Sequence, residues 1–514
     1  MISKVLSAAA IGYSGEIIEV EGDSSKGLPS LQIVGMGNKA IDEAKERVRS
    51  AIKNSDLDFP KQKITINLAP AEIPKDGTGF DLPIAISILI ISKQIQQKEV
   101  ENRAFVGELS LSGELRPVKG ILNIVEKIRD SGISEVFLPI ENYNQAKLIE
   151  NIKIIPAHNL KEIFLHLKNE KLIETNSENH NSEGIEESAI LLDDIIDQQQ
   201  AKRALTIAIA GRHNILLTGP PGTGKTMLAQ AALNLLPPLS KNELLEVAKI
   251  HGLVDNIDAT TIKRPFRAPH HTASKNSIIG GGKNALPGEI SLAHNGVLFL
   301  DEMPEYPRSI LETLRQPLED KKIVVTRTNR RSEYPANFML IATMNPCPCG
   351  FLGDQTKQCS CSTSQILNYQ RKISGPLLDR IDMVVEVNRI DNKNLLEERS
   401  KNNNEHANAY QQIEVSSKSQ HKRYNCEKYN GQANALIAKK SFKTTSSAKD
   451  FLDSAAAKLN LSARGYLKVI KVARTIADLE NSENIEISHI SESLQYRHKQ
   501  KISYNPCIFS IFLV

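Results

Sequence analysis

No stretch of this chain approaches the roughly 20 consecutive apolar residues that a membrane-crossing helix needs, which excludes a helical membrane protein. Net charge is also scarce. Sixty-four Lys and Arg against 60 Asp and Glu leave +4 over 514 residues, so a nucleic-acid partner cannot be argued from bulk charge and must be argued locally. A secretion leader is wanting as well. The opening Met1-Ile-Ser-Lys-Val-Leu-Ser-Ala-Ala-Ala carries only a short apolar run, and alternating Gly15-Glu-Ile-Ile-Glu-Val20 follows. That pattern reads as a buried first strand. Tryptophan is absent, which excludes nothing by itself. The six cysteines read as reduced thiols of a cytoplasmic protein. What is present is ordinary for a soluble chain: 40% apolar and 24% charged residues. The length suggests roughly three domains, each able to bury a core.

The most informative stretch is Gly219-Pro220-Pro221-Gly222-Thr223-Gly224-Lys225-Thr226, preceded by apolar Ile215–Leu217 and followed by a helical pattern. This is the phosphate-binding spacing G-x-x-x-x-G-K-S/T in its strand–loop–helix setting. Glycines let the backbone turn and aim N–H groups at phosphate oxygens, and the following helix adds its positive end. Lys225 is placed for the β and γ phosphates and the Thr226 hydroxyl for Mg²⁺. A second strand pattern, Gly296-Val-Leu-Phe-Leu, ends in Asp301 and Glu302. A carboxylate at that tip organises Mg²⁺, and its neighbour can polarise an attacking water. The residues alone thus predict a Mg-ATP hydrolase.

Taken in order, residues 1–168 read as one α/β domain. Strand patterns at Ile17–Val20, Leu31–Val34 and Lys63–Leu68 alternate with helical ones. Ile41, Ala44, Val48 and Ala51 mark one helix face, which Asn38 can cap, and a second helix is expected after Asp81. Residues 169–188 are polar and aperiodic and read as a linker. The ATPase domain is expected over 189–390, a helical lid over 391–500, and an apolar tail over 501–514.

Four cysteines, Cys347, Cys349, Cys359 and Cys361, fall in one short loop. Four thiolates can close a tetrahedral structural zinc site. The C-x-C spacing is tighter than usual, so a reduced, unmetallated loop stays open. Asp320 to Pro335 reads as a hairpin with Ile323-Val-Val-Thr as its first arm, and Arg327, Arg330 and Arg331 at or beyond the tip. Gly280-Gly-Gly-Lys283 reads as a flexible insert. Lys283 and the hairpin arginines are candidate substrate contacts, basic groups suited to phosphates, and a solvated basic turn is the alternative. Residues 392–448 read as one or two exposed helices plus loop. Ser462 can cap a helix with Val469, Ile470, Ala473 and Ile476 on one face, and Ser488 can cap the last helix.

Two resemblances extend this. At Pro74-Lys-Asp-Gly-Thr-Gly-Phe-Asp81 and Gly107-Glu-Leu-Ser-Leu-Ser-Gly113 to Gly120, the first domain resembles the proteolytic domain of Lon proteases. On those motifs the Lon nucleophile falls on Gly79 and its lysine near Leu122, so the resemblance implies the fold without peptidase chemistry. Lys75, Asp76 and Lys119 then read as solvated turn residues. From about residue 189 the chain resembles the YifB/ComM family, a magnesium-chelatase-like AAA+ branch. The carrying segments are Arg264-Pro-Phe-Arg-Ala-Pro-His-His-Thr-Ala-Ser274, Pro287 to Glu302, Leu314-Arg-Gln-Pro-Leu-Glu-Asp320, Met344-Asn-Pro-Cys-Pro-Cys-Gly350, Ser374-Gly-Pro-Leu-Leu-Asp-Arg-Ile-Asp382, Leu461-Ser-Ala-Arg464 and Val472 to Leu479. Asp197 departs from the family's usual Gly.

The expected fold is α/β: an AAA+ P-loop ATPase with a parallel sheet flanked by helices, a C-terminal helical lid and an N-terminal Lon protease-like α/β domain. The family resemblance implies that Asn345 orients the lytic water, that Arg380 is an arginine finger reaching a neighbouring subunit, and that Arg464 is the lid's sensor arginine. It implies ATP and Mg²⁺ as ligands, a homo-oligomeric ring, a hexamer, and branched or single-stranded DNA as substrate, moved as branch migration during natural transformation. His270 and His271 belong to a family motif, where structural or channel-facing roles are expected rather than ligation. The alternatives are a chelatase-type motor acting on a protein partner, an ATP-dependent protease and an ATP-gated scaffold.

Overall fold

The computed structural model describes residues 2–35, 38–72, 79–174, 190–255, 262–282, 285–327, 330–354, 356–389 and 404–497, with the backbone alone at 38–42, 327 and 330. Lys75, Asp76, Lys283 and the tail with Cys507 lie outside the described residues, as do the side chains of Asn38, Ile41, Arg327 and Arg330.

The first domain is built on β1 (Ser3–Ile11), β2 (Ser14–Ser25), β3 (Ser30–Val34), β4 (Lys63–Ala69), β5 (Arg103–Phe105), a small pair β6 (Glu108–Leu109) and β7 (Leu115–Arg116), β8 (Glu135–Pro139) and β9 (Lys153–Ala157). Seven of these form one mixed sheet, ordered β3-β4-β2-β1-β5-β8-β9. Alternation along the strands feeds two cores. Phe105 and Phe137 face the helices Asn38–Asn54 and Asp81–Ile91, while Ala104 and Val136 face helix Ile121–Asp130. Every residue of Asp81–Ile91 is buried, which explains why Ser87 alone interrupts its apolar run after Asp81. The expected first strand is β1, inside the sheet. Leu122 packs in a core at 2% exposure, and a Cβ at Gly79 would stand 3.2 Å from Val118. Neither position carries a nucleophile or a base.

The second domain has β10 (Ile215–Thr218), β11 (Phe266–Arg267), β12 (Gly280–Gly281), β13 (Leu286–Pro287), β14 (Val297–Leu300), β15 (Lys322–Arg327), β16 (Arg330–Pro335), β17 (Met339–Met344) and β18 (Met383–Glu386). Its sheet is parallel throughout, ordered β11-β14-β17-β10-β18. Buried on both faces, its strands are continuous apolar runs. Leu216, Leu298 and Leu340 face one core; Ile215, Leu217, Phe299 and Ile341 face the other. Ligands of such sheets gather at the carboxyl ends of the strands.

One expectation needs correction here. Gly280 and Gly281 do not form a flexible insert. They are buried, pair with Pro287 and Leu286, and pack so closely that a Cβ at Gly280 would stand 2.5 Å from Leu286 O. Glycine is required there by contact and by a φ of +107°. Lys119 is an exposed turn residue, as expected; it also donates to Val254 O, and Gly120 N donates to Gly252 O at 2.7 Å. With the Lys249–Glu126 ion pair (2.6 Å) and Ala248 inserted among first-domain apolar residues, helix Lys241–His251 docks the two domains together.

The C-terminal helices are Glu405–Tyr424, Ala435–Ser441, Ser446–Lys458, Ala463–Leu479 and Ile487–Gln495. Helix Glu405–Tyr424 is not simply exposed. It buries Ala409, Ile413, Ser416, Ser417 and Gln420, and Gln420 donates to Ala210 O at 2.9 Å. Its sequence looked exposed because polar residues fill part of that buried face. Ser462 caps its helix as expected, accepting from Gly465 N (3.1 Å). Ser488 does not. The last helix starts earlier, with Glu486 at the cap and His489 Nδ1 accepting from Glu486 N (2.9 Å). Two side chains that can accept a hydrogen bond lay close together, and the capping geometry chose the earlier position.

Candidate nucleotide site and its arginine partners

The phosphate loop leaves β10 at Gly219, whose N–H donates to Met344 O (3.2 Å) and where a Cβ would stand 2.1 Å from Val387 O. No side chain fits there. Gly222 (φ +75°) and Gly224 (φ +82°) take the left-handed conformation, and a Cβ at either would project into open space. That space is where phosphate oxygens must approach backbone N–H groups. Thr223 Oγ1 donates to Pro220 O (2.9 Å) and stiffens the loop. Lys225 begins helix Lys225–Leu235. Its ammonium donates to Gly219 O (2.8 Å), Pro220 O (2.7 Å) and Asn345 Oδ1 (3.3 Å). Burial lowers its pKa, against the opposing charges of Asp301 and Glu302.

Asp301 and Glu302 follow β14, and both are exposed. Thr226 Oγ1 lies 3.4 Å from Asp301 Oδ2. A hydroxyl and a carboxylate so placed are the donor set that Mg²⁺ takes beside a nucleotide. A residue missed in the sequence fixes both acids. Thr343 Oγ1, on the adjoining β17, donates to Asp301 Oδ1 (2.6 Å) and accepts from Glu302 N (2.9 Å). Glu302 itself sits in left-handed backbone (φ 49°, ψ 51°), an uncommon conformation for a residue with a side chain. The only signal for Thr343 was a lone hydroxyl at the end of a buried apolar strand.

Asn345 follows β17 and reaches Lys225, as noted. The cysteine loop starts two residues later. Cys347, Cys349, Cys359 and Cys361 place their Sγ atoms within 4.8 Å of one another, with separations of 3.4, 3.6 and 3.6 Å among the first three. Thiolates bound to zinc at about 2.3 Å stand roughly 3.8 Å apart, so the set fits that metal. Backbone N–H groups of Phe351 and Ser360 hold the Cys349 thiol down to about 6. The loop touches the nucleotide site, since a Cβ at Gly350 would stand 2.6 Å from Pro221 Cδ.

Arg380 and Arg464 are elsewhere. Asn214 donates to Arg380 O (3.0 Å) and its N–H to Asp382 (3.0 Å). Asn214 lies at the opposite end of β10 from the phosphate loop, roughly 16 Å along an extended strand. Burial works to raise the Asp382 carboxyl, but the nearby His213, Lys468 and Lys471 bring it down to about 2. This anchor is therefore charged. Arg380 donates to Pro376 O (2.7 Å) and pairs with Glu319, and Arg464 pairs with the same Glu319 at 3.1 Å. The two arginines thus share one carboxylate on a surface away from this chain's own lysine.

The hairpin β15–β16 has the expected arms, with Arg327 opposite Arg330. Ile323, Val325 and Tyr334 face the core, and Arg331 is exposed. Tyr334 donates to Ala285 O (2.7 Å). Ser332 lies so near the β1–β2 turn that a Cβ at Gly12 would stand 2.7 Å from its Oγ. His270 and His271 lie ring to ring, 4.1 Å between centroids, and belong to no cluster of potential metal ligands among the described residues. Asp197, which stands where the family usually has Gly, and Gln198 both take left-handed backbone, which glycine adopts at no cost.

The chain is 39% identical over 501 residues to the competence protein ComM of Haemophilus influenzae, covering 96% of this chain and 97% of that one. It belongs to the ComM/YifB family. YifB of Escherichia coli is 40% identical, again over 96% of this chain and 97% of its own length. Residues 191–395 match magnesium chelatase, subunit ChlI; residues 20–142 match subunit ChlI of Mg-chelatase; and 403–497 match the ChlI C-terminal region. The ComM/YifB chain is thus an AAA+ protein of the magnesium-chelatase-like branch. The Lon-like character of its front is also seen directly. The Lon protease of Methanosarcina barkeri is 30% identical over 163 residues, 29% of this chain and 20% of that protein. No helix among the described residues is long and apolar enough to cross a membrane.

Proposed function

We propose that this chain is an ATP-driven DNA motor that works as a homo-oligomeric ring, a hexamer, and promotes branch migration of recombination intermediates in natural transformation. One observation carries the reading. Ile323, Val325 and Tyr334 of the hairpin pack in one core with Leu300 and Met303, the residues that flank Asp301 and Glu302, so a change at the nucleotide can be felt at the hairpin that carries the exposed Arg331. A ring repeats that hairpin around a channel, which suits phosphate backbones. The printed name of the Haemophilus relative supports a role in competence. The reading places the motor in the cytoplasm, where ATP and reduced thiols are found.

In this mechanism the loop N–H groups and Lys225 hold the phosphates, and Thr226 and Asp301 hold Mg²⁺, which neutralises developing charge when bound. Glu302 accepts a proton from the attacking water, and Asn345 orients that water. Arg380, and Arg464 beside it, come from the neighbouring subunit. The Lon-like domain performs no proteolysis, because its dyad positions hold Gly79 and Leu122.

The direct test is a labelled synthetic four-way junction resolved by electrophoresis. With ATP the wild-type chain should drive the junction to its arms, and a Glu302→Gln chain should not. A junction left intact by an ATP-hydrolysing wild type would count against the proposal. The chelatase matches over 191–395 favour a second reading, an ATPase that remodels a protein partner. That reading gains if hydrolysis responds to a protein and to no DNA.

We also propose that the four cysteines hold one structural zinc ion that ties the Asn345 loop to the phosphate loop. Protein purified without chelator should carry about one zinc per chain by elemental analysis, closing a four-thiolate site. A Cys347→Ser/Cys359→Ser chain should carry none and melt at a lower temperature. Wild-type protein free of metal would refute the zinc site.

A further inference from the structure

Glu319 belongs to helix Arg315–Asp320, which leads through Lys321 straight into β15 of the basic hairpin. One of its carboxylate oxygens pairs with Arg464 Nη2 at 3.1 Å and the other with Arg380 Nη2. The three residues come from three parts of the molecule. Glu319 sits at the hairpin's root, Arg380 just ahead of β18, and Arg464 in the first turn of the lid helix Ala463–Leu479. The lid reinforces the junction, because Lys468, one turn beyond Arg464, donates to Ile381 O at 2.7 Å.

The arrangement is unequal. Arg380 is only 14% exposed, with Nη1 on Pro376 O and its Nε buried without a partner. Glu319 and Arg464 are about half exposed, at 50% and 56%. A guanidinium fork takes a carboxylate and a phosphate by the same geometry. While Glu319 holds an Nη2 of each arginine, its one negative charge offsets half of their combined charge and engages one donor of each that a phosphate would take. A half-exposed carboxylate is also a weak holder, one that a multiply charged phosphate can displace.

We propose that Glu319 is a positioning residue that parks Arg380 and Arg464 and releases them to the phosphates of a neighbouring subunit's ATP when the hairpin root shifts. Glu319 then links DNA at the hairpin of one subunit to hydrolysis in the next. This rests on the reading of Arg380 as a residue acting across subunits. No bond is made or broken: one anion replaces another at the same donors.

The test is steady-state ATP turnover, with and without a four-way junction, for full-length wild type, Glu319→Gln, Arg380→Ala and the double variant. Glutamine keeps the shape and removes the charge, and matching melting curves confirm that it folds. Glu319→Gln should raise DNA-free turnover about threefold to fivefold, the gain from releasing a half-exposed ion pair. It should also shrink the stimulation by DNA with little change in KM for ATP. The double variant should fall to the level of Arg380→Ala. A merely structural role for Glu319 would not accelerate the enzyme. DNA-free turnover at or below wild type overturns the proposal while Arg380→Ala stays inactive. If Arg380→Ala turns over like wild type, the reading of the arginine itself fails, and the parking proposal fails with it.

Discussion

Glu302→Gln should lower ATP turnover by about 100-fold or more while ATP still binds, because a general base typically contributes about 10² to 10⁴ in rate. The substitution is close to isosteric, so it tests chemistry rather than packing. The backbone N–H of residue 302 would stay on Thr343 Oγ1, now 2.9 Å away, and Thr343 would keep its bond to Asp301. The Mg²⁺ donors Thr226 and Asp301 are therefore undisturbed. What goes is the carboxylate that can take a proton from water. The exposure of Glu302 leaves its side chain open to that water. Turnover and affinity for a fluorescent ATP analogue, measured on one preparation, check this. Turnover within a few-fold of wild type would move the base to another residue.

Arg380→Ala should cost about 10³ in turnover, the lower end of what an arginine finger supplies. The loss should be recoverable in trans. Arg380 hangs from Asn214, at the far end of β10 from Lys225, so its own nucleotide is out of reach, and in the proposed ring it serves the neighbour's. A chain with Lys225→Ala keeps the arginine but lacks the phosphate grip. Either variant alone should be nearly inactive. Mixed, they should regain a substantial part of the activity, since some interfaces pair an intact Lys225 with an intact Arg380. An unchanged baseline in the mixture would argue that the arginine acts within its own chain.

The nucleotide site was legible because its parts are contiguous. Gly219 to Thr226 and Val297 to Glu302 each compress a strand, its end and the working residues into one short stretch, and local sequence is enough to align them. The hairpin was legible for the same reason: alternation over Ile323–Val325 and Ser332–Tyr334 sets its inward face. What escaped was set by long-range contact. Thr343, Asn214 and Glu319 look unremarkable in sequence, and each acquires its role only when strands or helices far apart in the chain meet. Helix Glu405–Tyr424 misled because its buried face includes Ser416, Ser417 and Gln420, whose hydrogen bonds appear only in the fold. Gly280 looked like slack and is instead a close contact that no side chain fits.

The measurement that bears most directly on the DNA motor is ATP turnover with and without a synthetic four-way junction, for wild type beside Arg331→Ala. Arg331 is exposed near the hairpin tip. The junction should stimulate the wild type several-fold, and Arg331→Ala should keep its DNA-free turnover while losing most of the response. Brisk hydrolysis by the wild type, indifferent to junction, duplex and single strand alike, would contradict the account.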